Sequence, residues 1–449
     1  MPRDPFKKGC EEFRSTRRPT LNPEMSRRQV LLSGLGLGLS LYATKAMTFE
    51  RMLENAQAQA AAAPDAPILV NVFLPGGCDL LSTLTPLWVA GPLNDVRRSL
   101  GDNTTPALAS TGLGLHPSLS EGAGGGVRAL FEAGKIGFLP GIDYANPDLS
   151  HFNSRNFWET GIVSPMAGPG WLGRWLDVAG TPDNPLQGLS LGGGLSPILR
   201  TQNAPVASLN SPRDARLQFA GTWGKGAEKA ADAWGRLADA ASSSRPGPAA
   251  SAKAARLART VADRLAPYAA SGDGPDPLAP PFPYPEENDL GVKLSRAAAM
   301  LALPLGIRVI TVEADGDYDT HDDQPGELAT ALKGLSEALS AFQADIELRG
   351  LGHRVLTFVW SEFGRRVESN ESAGTDHGAG GIAWVQGVRA RSGLLTDYPD
   401  ITRLDQHGNL AVTVDFRRVF ASLLEGWLGT PADAVLPGAA SYGRVALVS

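Results

Sequence analysis

The sequence predicts an α/β fold, with a doubly wound, mostly parallel sheet flanked by helices. Three short apolar runs rich in β-branched residues, 68–74, 307–312 and 355–360, have the pattern of strands buried on both faces. Between the last two runs, apolar residues recur every three or four positions from 327 to 348, which indicates an amphipathic helix. A strand, a helix and a strand in this order form a βαβ unit, the building block of parallel sheets.

The bulk composition is that of an ordinary globular protein. Of the 449 residues, 43% are hydrophobic and 20% are charged, and the net charge is −6. Binding to nucleic acid is not expected, because it usually calls for a basic face. The 52 glycines and 34 prolines predict many structured loops, which suits an enzyme whose site lies on loops.

Residues 1–63 are interpreted as an N-terminal tail with an export signal. A polar and basic stretch is followed by Arg27 and Arg28 and then by an apolar run from 30 to 43. This order resembles a twin-arginine signal, and the run is shorter than the ~20 residues of a membrane span. We expect a periplasmic or secreted protein, exported by the twin-arginine translocation machinery, with no stable membrane span after signal removal. A basic tail before a buried helix is the alternative.

Residues 64–449 are expected to form a single α/β domain. The composition shifts at about 212–290, where Ala-rich, helix-prone segments precede a proline-rich stretch. We interpret this part as a helical and Pro-rich insertion that lies over the sheet. Cys78 is the only cysteine after the signal, so no intramolecular disulfide is expected.

The first strand of this domain, 68–74, leads into a glycine-rich turn. Gly76 and Gly77 let the backbone turn sharply and approach a ligand closely, and Asp79 follows them. A carboxylate at the carboxyl end of a strand is a typical metal ligand. An aspartate that caps a turn or a helix is an equally good interpretation.

The second strand, 136–140, leads to Ser150 and His151. These side chains are candidates for a nucleophile or a ligand. A helix start capped by the serine is the alternative. Further on, an apolar run at 382–388 predicts another strand, and an apolar stripe from 415 to 428 predicts the terminal helix.

Most of the chemistry lies between 315 and 381, after two of the predicted strands. The candidate ligands there are Asp319, His321, Glu362, Asp376 and His377. Ligands bind outside the carboxyl ends of strands in open parallel sheets, so these side chains should meet at one edge. Carboxylate and imidazole groups are the ligands of catalytic metal sites. The alternative is that the acidic loops are solvated and that each histidine packs locally.

Along nearly the whole chain, the motifs resemble those of the exported bacterial proteins catalogued as domain of unknown function 1501. They are the twin-arginine start and the segments 76–79, 115–117, 150–152, 158–161, 170–174, 319–321, 361–365, 374–378 and 415–417. Each motif is short, but their combination and order are highly specific.

That family is similar to the alkaline phosphatase and sulfatase superfamily. The resemblance implies an alkaline-phosphatase-like sheet with a bimetal site at the strand ends, and hydrolysis of phosphate or sulfate esters. It would match Asp79 to the first metal aspartate, Asp319 and His321 to the aspartate–histidine pair, and His377 to the last metal histidine. Glu362 stands where the superfamily often has aspartate and histidine.

The leading hypothesis is an exported metal-dependent hydrolase that acts on a small-molecule or polymer ester. Zinc, manganese or calcium would be the divalent metal. The expected ligands are Asp79, Asp319, His321, Glu362, Asp376 and His377. Asp376 would alternatively orient His377 from behind.

The catalytic candidates are Ser150, His151 and Arg365. Arg365 or Arg155 would bind the substrate anion, since guanidinium suits phosphate and sulfate. Ser82 and Thr83 are further candidates for the nucleophile, and Cys78 lacks the sequence context of a sulfatase formylglycine. The alternative is a non-catalytic exported binding or assembly protein that retains the phosphatase-like fold.

Overall fold

The computed structural model describes residues 63–101, 105–109, 111–166, 168–182, 184–192, 194–209 and 279–449, and the backbone of 39–42. The twin-arginine motif and most of the expected insertion at 212–290 lie outside these residues. Within the described part of the chain, no helix is long and apolar enough to cross a membrane.

Fifteen strands form one large and two small sheets in the described residues. They are β1 (Leu39–Tyr42), β2 (Ile68–Leu74), β3 (Leu84–Pro86), β4 (Ala107–Leu108), β5 (Leu113–Leu115), β6 (Ile136–Asp143), β7 (Gly188–Leu191), β8 (Val206–Leu209), β9 (Val309–Glu313), β10 (Val355–Ser361), β11 (Gly364–Ser369), β12 (Thr375–Gly378), β13 (Gly381–Gln386), β14 (Gly393–Leu394) and β15 (Val414–Asp415). The α-helices are α1 (Leu80–Thr83), α2 (Ala90–Val96), α3 (Gly126–Glu132), α4 (His151–Thr160), α5 (Trp171–Ala179), α6 (Asp289–Leu301), α7 (Gln324–Leu348) and α8 (Phe416–Gly426).

The large sheet is mixed and mostly parallel. Its strand order is β1-β8-β7-β9-β2-β10-β13-β6-β14, and β15 also pairs with β6. All neighbours from β8 to β10 are parallel, whereas β1 and β13 run antiparallel to their neighbours. The predicted α/β class is therefore confirmed. The strand predicted at 382–388 is present as β13, and its antiparallel direction next to β10 was not predicted.

Both faces of this sheet are buried. Along β2, Val70 and Val72 point into one hydrophobic core, and Leu69 and Phe73 point into the other. Helices α3, α6 and α7 contribute to the first core, and α4, α5 and α8 contribute to the second. A strand between two cores needs apolar residues at successive positions, which explains the unbroken apolar runs in the sequence.

The predicted elements that fall in the described residues are present, with shifted ends. The helix predicted at 327–348 begins earlier, at Gln324, with a proline in its first turn. The strand predicted at 136–140 continues to Asp143. Its pairing with β13 is irregular, with a register shift and a φ of 70° at Gly141, and the strand continues beyond this irregularity. This extension carries the chain to the edge of the sheet where the candidate site lies.

Candidate metal centre

The carboxyl ends of four strands lie at one edge of the large sheet. Strands β6, β9, β2 and β10 all run in the same direction, and the loop after each leads to a candidate residue. The two positions after β2 require glycine, because neighbouring atoms leave no space for a Cβ. A Cβ on Gly76 would lie 2.3 Å from the backbone nitrogen of Asp319, and one on Gly77 would lie 2.4 Å from the ring of Phe363. Both glycines also have positive φ angles, of 117° and 84°.

Asp319 lies at the centre of a cluster of imidazoles. Its Oδ1 is 3.0 Å from Nε2 of His377 and 3.1 Å from Nε2 of His321, and its Oδ2 is 3.3 Å from Nε2 of His151. The ligand atoms of His151, Asp319 and His377 all lie within 4.8 Å of one another. Two ligands ~2.1 Å from one metal are roughly 3.0–3.4 Å apart, so the spacings around Asp319 fit a shared metal ion.

In two of the imidazoles, the group that contacts Nδ1 shows that this nitrogen carries a proton. Nδ1 of His377 lies 2.9 Å from the backbone oxygen of Leu149, which can only accept a hydrogen bond. Nδ1 of His151 lies 2.9 Å from Oε1 of Glu362. Burial raises the pKa of Glu362, but the hydrogen bond and charge of His151 and the N–H of Gly76 lower it more, so the carboxylate is ionised. Both Nδ1 atoms therefore donate to these acceptors, and the Nε2 atom of each ring faces Asp319.

His321 follows the same arrangement at the more exposed side of the cluster. Its Nδ1 is 3.3 Å from Oδ1 of Asp376, and this contact holds the pKa of Asp376 at about 2. Nδ1 of His321 is therefore the donor, and Nε2 faces Asp319. A divalent metal would be held by His151, Asp319 and His377, whose ligand atoms lie within 4.8 Å of one another, and His321 contacts the same carboxylate from the exposed side. Carboxylates or carbonyls behind metal-bound histidines are the usual supports.

Arg365 has a different role from the substrate contact expected above. Its side chain is fully buried, and Nη2 lies 2.6 Å from Oδ1 of Asp319. Burial raises the pKa of Asp319, but contacts with the three histidines and the charge of Arg365 hold it well below its usual range. The remaining guanidinium hydrogen bonds go to the backbone oxygens of Gly76, Gly77, Tyr318 and Thr375. These hydrogen bonds tie the ligand loops together. Because the guanidinium does not reach solvent, it cannot reach a substrate anion.

Asp79 belongs to a second buried cluster. It caps α1 through the N–H of Leu81, forms an ion pair with Arg97 and accepts a hydrogen bond of 2.6 Å from Gln324. Burial raises the pKa of Asp79, but Arg97 lowers it more, so that it lies below the ordinary value. The structure thus supports the helix-cap interpretation of Asp79 instead of the metal-ligand one. No sequence pattern singles out Arg97 or Gln324 as its partners.

The other predicted residues take supporting positions. Glu362 accepts hydrogen bonds from Gly76 and Gly77 as well as from His151, so it orients an imidazole and is not itself among the converging donors. Asp376 contacts His321 instead of the expected His377. Ser150 caps α4, with its Oγ 3.5 Å from the N–H of Asn153, and thereby positions His151.

Two features were missed by the sequence interpretation. The convergence of His151 with the other histidines was not predicted, although its place beyond a strand end is the signal that made it a candidate. Leu149, whose carbonyl holds His377, has a φ of 58°. A leucine in this left-handed region is strained, and such strain is concentrated at functional sites.

The family comparison covers the whole of this centre. The model of the family described as "Protein of unknown function (DUF1501)" matches residues 147–407, which is more than half of the chain. All four converging side chains and their supports Leu149, Glu362, Arg365 and Asp376 fall in this range. No curated protein matches the chain. The chain belongs to the DUF1501 family.

Proposed function

We propose that this protein is an exported, metal-dependent hydrolase of phosphate or sulfate esters. The observation that carries the proposal is the convergence of three imidazoles, each with Nδ1 held by an acceptor, on the carboxylate of Asp319. This cluster lies at the carboxyl edge of a mostly parallel sheet, where such folds bind ligands. The alkaline-phosphatase-like architecture and the twin-arginine export are parts of the same proposal, and the motifs of the sequence support them.

The donor set favours zinc, iron or manganese over calcium. Imidazole suits the transition metals, whereas calcium prefers sets made only of oxygen ligands. A bound metal would polarise an ester oxygen and lower the pKa of a bound water. His151, Asp319 and His377 supply three donors, the number that catalytic zinc sites take from the protein, and a water or the substrate would take the next position. We expect one metal per chain, because the described residues form a single such cluster.

The surrounding residues give the centre one open side. The side chains of His151, Asp319 and His377 are 6–8% exposed, whereas His321 is 28% and Asp376 is 45% exposed. Substrate would therefore reach the centre from the side of His321. Arg365 keeps Asp319 ionised, and Glu362 keeps the ring of His151 in place. These residues hold the donors before a ligand arrives, which is how a site reduces the free-energy cost of binding a metal.

The test combines metal content with an ester panel. Protein exported through its native pathway would be measured by elemental analysis. It would then be assayed with 4-nitrophenyl phosphate, 4-nitrophenyl sulfate and bis(4-nitrophenyl) phosphate, with and without added zinc, manganese or iron(II). We expect one metal per chain and turnover that disappears in Asp319→Asn. Asp322→Asn is the matched control, because Asp322 is exposed and lies three residues away. Absence of metal from the folded wild type would overturn the proposal.

The second candidate is a non-catalytic exported binding or assembly protein in which the metal is structural. Two observations favour it. Four protein donors close a tetrahedral zinc site completely, and His321, whose Nε2 lies 3.1 Å from Asp319, would be the fourth donor if it binds the same metal. The nearest thiol, Cys78, is buried, and burial raises its pKa to about 12, so it is no nucleophile. Metal that is bound stoichiometrically and stabilises the fold, with no ester turned over, would favour this candidate.

A further inference from the structure

A cavity of about 450 Å³ lies beside the metal centre, on the face of the sheet covered by α4. Strands β2, β7 and β9 form its floor, and α4 and the segment after β7 form its walls. Its volume is in the range of small-molecule sites. No residue of the predicted metal site lines this cavity.

The floor of the cavity is a row of polar side chains in an otherwise apolar sheet. Asn71 of β2 pairs in register with Thr311 of β9, which pairs in register with Ser190 of β7. In-register residues of neighbouring strands point to the same face, so these three side chains lie side by side. All three are buried, and all three line the cavity.

Two of these three side chains have hydrogen-bonding capacity that the described residues do not use, whereas Oγ of Ser190 donates to the backbone oxygen of Gly194 and accepts from the N–H of Ser196. Oγ1 of Thr311 is buried and has no hydrogen-bond partner within the described part of the chain. Asn71 accepts a hydrogen bond of 2.9 Å from the indole of Trp360 through Oδ1, and among the described residues its amide nitrogen donates none. Buried polar groups without partners are costly, so their presence at a cavity floor indicates a ligand that supplies the partners.

The charges at the rim argue against an anion in this cavity. Arg155 pairs with Glu159 at 3.0 Å and with Glu313 at 2.8 Å, and Lys293 pairs with Asp315 at 2.9 Å. Three carboxylates thus surround two cations that are both engaged. The cavity thus offers both hydrogen-bond donors, from guanidinium and amide groups, and acceptors, from hydroxyl and carboxylate groups. A ligand with several hydroxyl groups can use both.

Helix α4 connects the cavity to the metal centre. His151, Arg155 and Glu159 are spaced by four residues, so they lie on one side of the helix, and one step of four residues advances ~6 Å along its axis. The first contacts Asp319, and the other two line the cavity. A molecule that reaches the metal centre with one end can therefore place its other end in the cavity.

We propose that this cavity binds an uncharged, hydroxyl-rich group, a polyol or a saccharide, and that this group is the alcohol part of the ester. The second half of this statement rests on the proposed hydrolase function. The first half, the binding of a neutral hydroxylated ligand, does not.

Binding is tested with three hexoses of the same size and different charge. Saturation-transfer difference NMR on the intact protein would use glucose, glucosamine and glucuronate. We expect a signal for glucose that exceeds the glucuronate signal, and affinity for glucose that falls about three- to tenfold in Thr311→Val, the range for one hydrogen bond. This variant keeps the shape of the side chain and breaks no hydrogen bond of the described chain.

Thr357→Val is the matched control. Thr357 is also buried with an unpartnered Oγ1, but it pairs with Val70 and therefore points into the opposite core. We expect this variant to bind glucose as the wild type does. Preference for glucuronate or glucosamine, or equal affinity of the Thr311→Val variant and the wild type for glucose, would overturn the proposal.

The link to hydrolysis has its own readout. With a hexose 6-phosphate as substrate, Thr311→Val should raise KM about three- to tenfold, and it should leave KM for 4-nitrophenyl phosphate unchanged. Glucose binding without turnover of any ester would keep the cavity assignment and refute the hydrolase function. Turnover of the hexose ester with a KM that Thr311→Val does not change would refute the cavity as the alcohol site.

Discussion

Two buried polar clusters lie at the same edge of the sheet, and they differ in how their charges are balanced. In the cluster around Asp79, a carboxylate faces the guanidinium of Arg97, and the remaining acceptor sites are filled by Gln324 and a backbone N–H. In the cluster around Asp319, the carboxylate contacts the guanidinium of Arg365 and the Nε2 atoms of three imidazoles, and the Nδ1 of each imidazole contacts an acceptor of its own. The first cluster is an ion pair with no imidazole, and the second gathers carboxylate and imidazole groups, the set that binds transition metals.

This difference teaches that a carboxylate after a strand has no fixed role. Asp79 and Asp319 both follow buried strands of the same sheet and both are buried. The nearest cationic side chain decides between them. Arg97 contacts both oxygens of Asp79, whereas Arg365 contacts only Oδ1 of Asp319, and the oxygens of Asp319 also face the histidines.

The largest effect is expected from Asp319→Asn. The amide retains the size of the side chain but loses the charge that balances a cation, so we expect the metal to be lost altogether. Elemental analysis and the dependence of Tm on added metal would measure this. Asp322→Asn should behave as the wild type. Full metal occupancy in Asp319→Asn would contradict the assignment of the centre.

The second-largest effect is expected from acid, which should release the metal at a higher pH than it breaks the pair of Asp79 and Arg97. Metal binding requires unprotonated imidazole, so we expect affinity to fall more than ~1,000-fold between pH 7.5 and 5. The pKa of Asp79 is lower in the folded chain than its ordinary value of 3.8, so its pair stabilises the fold above pH 3.8 and is lost only as the pH falls through the folded pKa. Metal release followed by elemental analysis, beside urea unfolding at the same pH values, would show the two events apart. Metal retained at pH 5 would contradict the ligand set.

Arg97→Met should destabilise the fold and leave metal binding intact. Removal of the guanidinium leaves the Asp79 carboxylate buried and unpaired, which costs about 3–5 kcal/mol in free energy of unfolding. Urea unfolding of the metal-loaded protein would measure the loss. A folded variant that has lost its metal would place Asp79 in the centre after all.

Glu362→Gln should weaken the metal without removing it. The amide oxygen still accepts the proton of His151, but the neutral group no longer raises the basicity of the ring. Loss of such a support typically lowers affinity ~10–100-fold. Competition with a chelator of known affinity would measure it. Unchanged affinity would show that His151 is not a ligand.

Asp376→Asn should lower the metal affinity less than Glu362→Gln does. Asp376 stands to His321 as Glu362 stands to His151, but its side chain is 45% exposed and that of Glu362 is 2% exposed. Solvent screens the exposed contact, so we expect the metal affinity to fall less than ~10-fold. The same chelator competition applies. A larger loss than in Glu362→Gln would mean that burial does not govern these supports.

Much of this protein could be predicted from its sequence, and the reasons are local. The strands β2, β9 and β10 and the helix α7 follow from apolar runs and from periodicity, since burial imposes these patterns directly on neighbouring residues. Asp319, His321 and His377 were candidates because a parallel sheet brings the ends of its strands together. The role of Ser150 as a helix cap was one of two interpretations of a local motif.

The partner of each charged side chain could not be predicted, because it depends on contacts between distant parts of the chain. Arg97 lies 18 residues from Asp79, and Arg365 lies 46 residues from Asp319, with no pattern between them that assigns one to the other. The same holds for His151, which is 211 residues from the glutamate that orients it, and for the polar row across β2, β9 and β7. Sequence by itself determined which elements form and which side chains carry chemistry, because those depend on neighbours along the chain. Whether a carboxylate binds an arginine or a metal depends on distances that are set when the sheet and its loops are assembled.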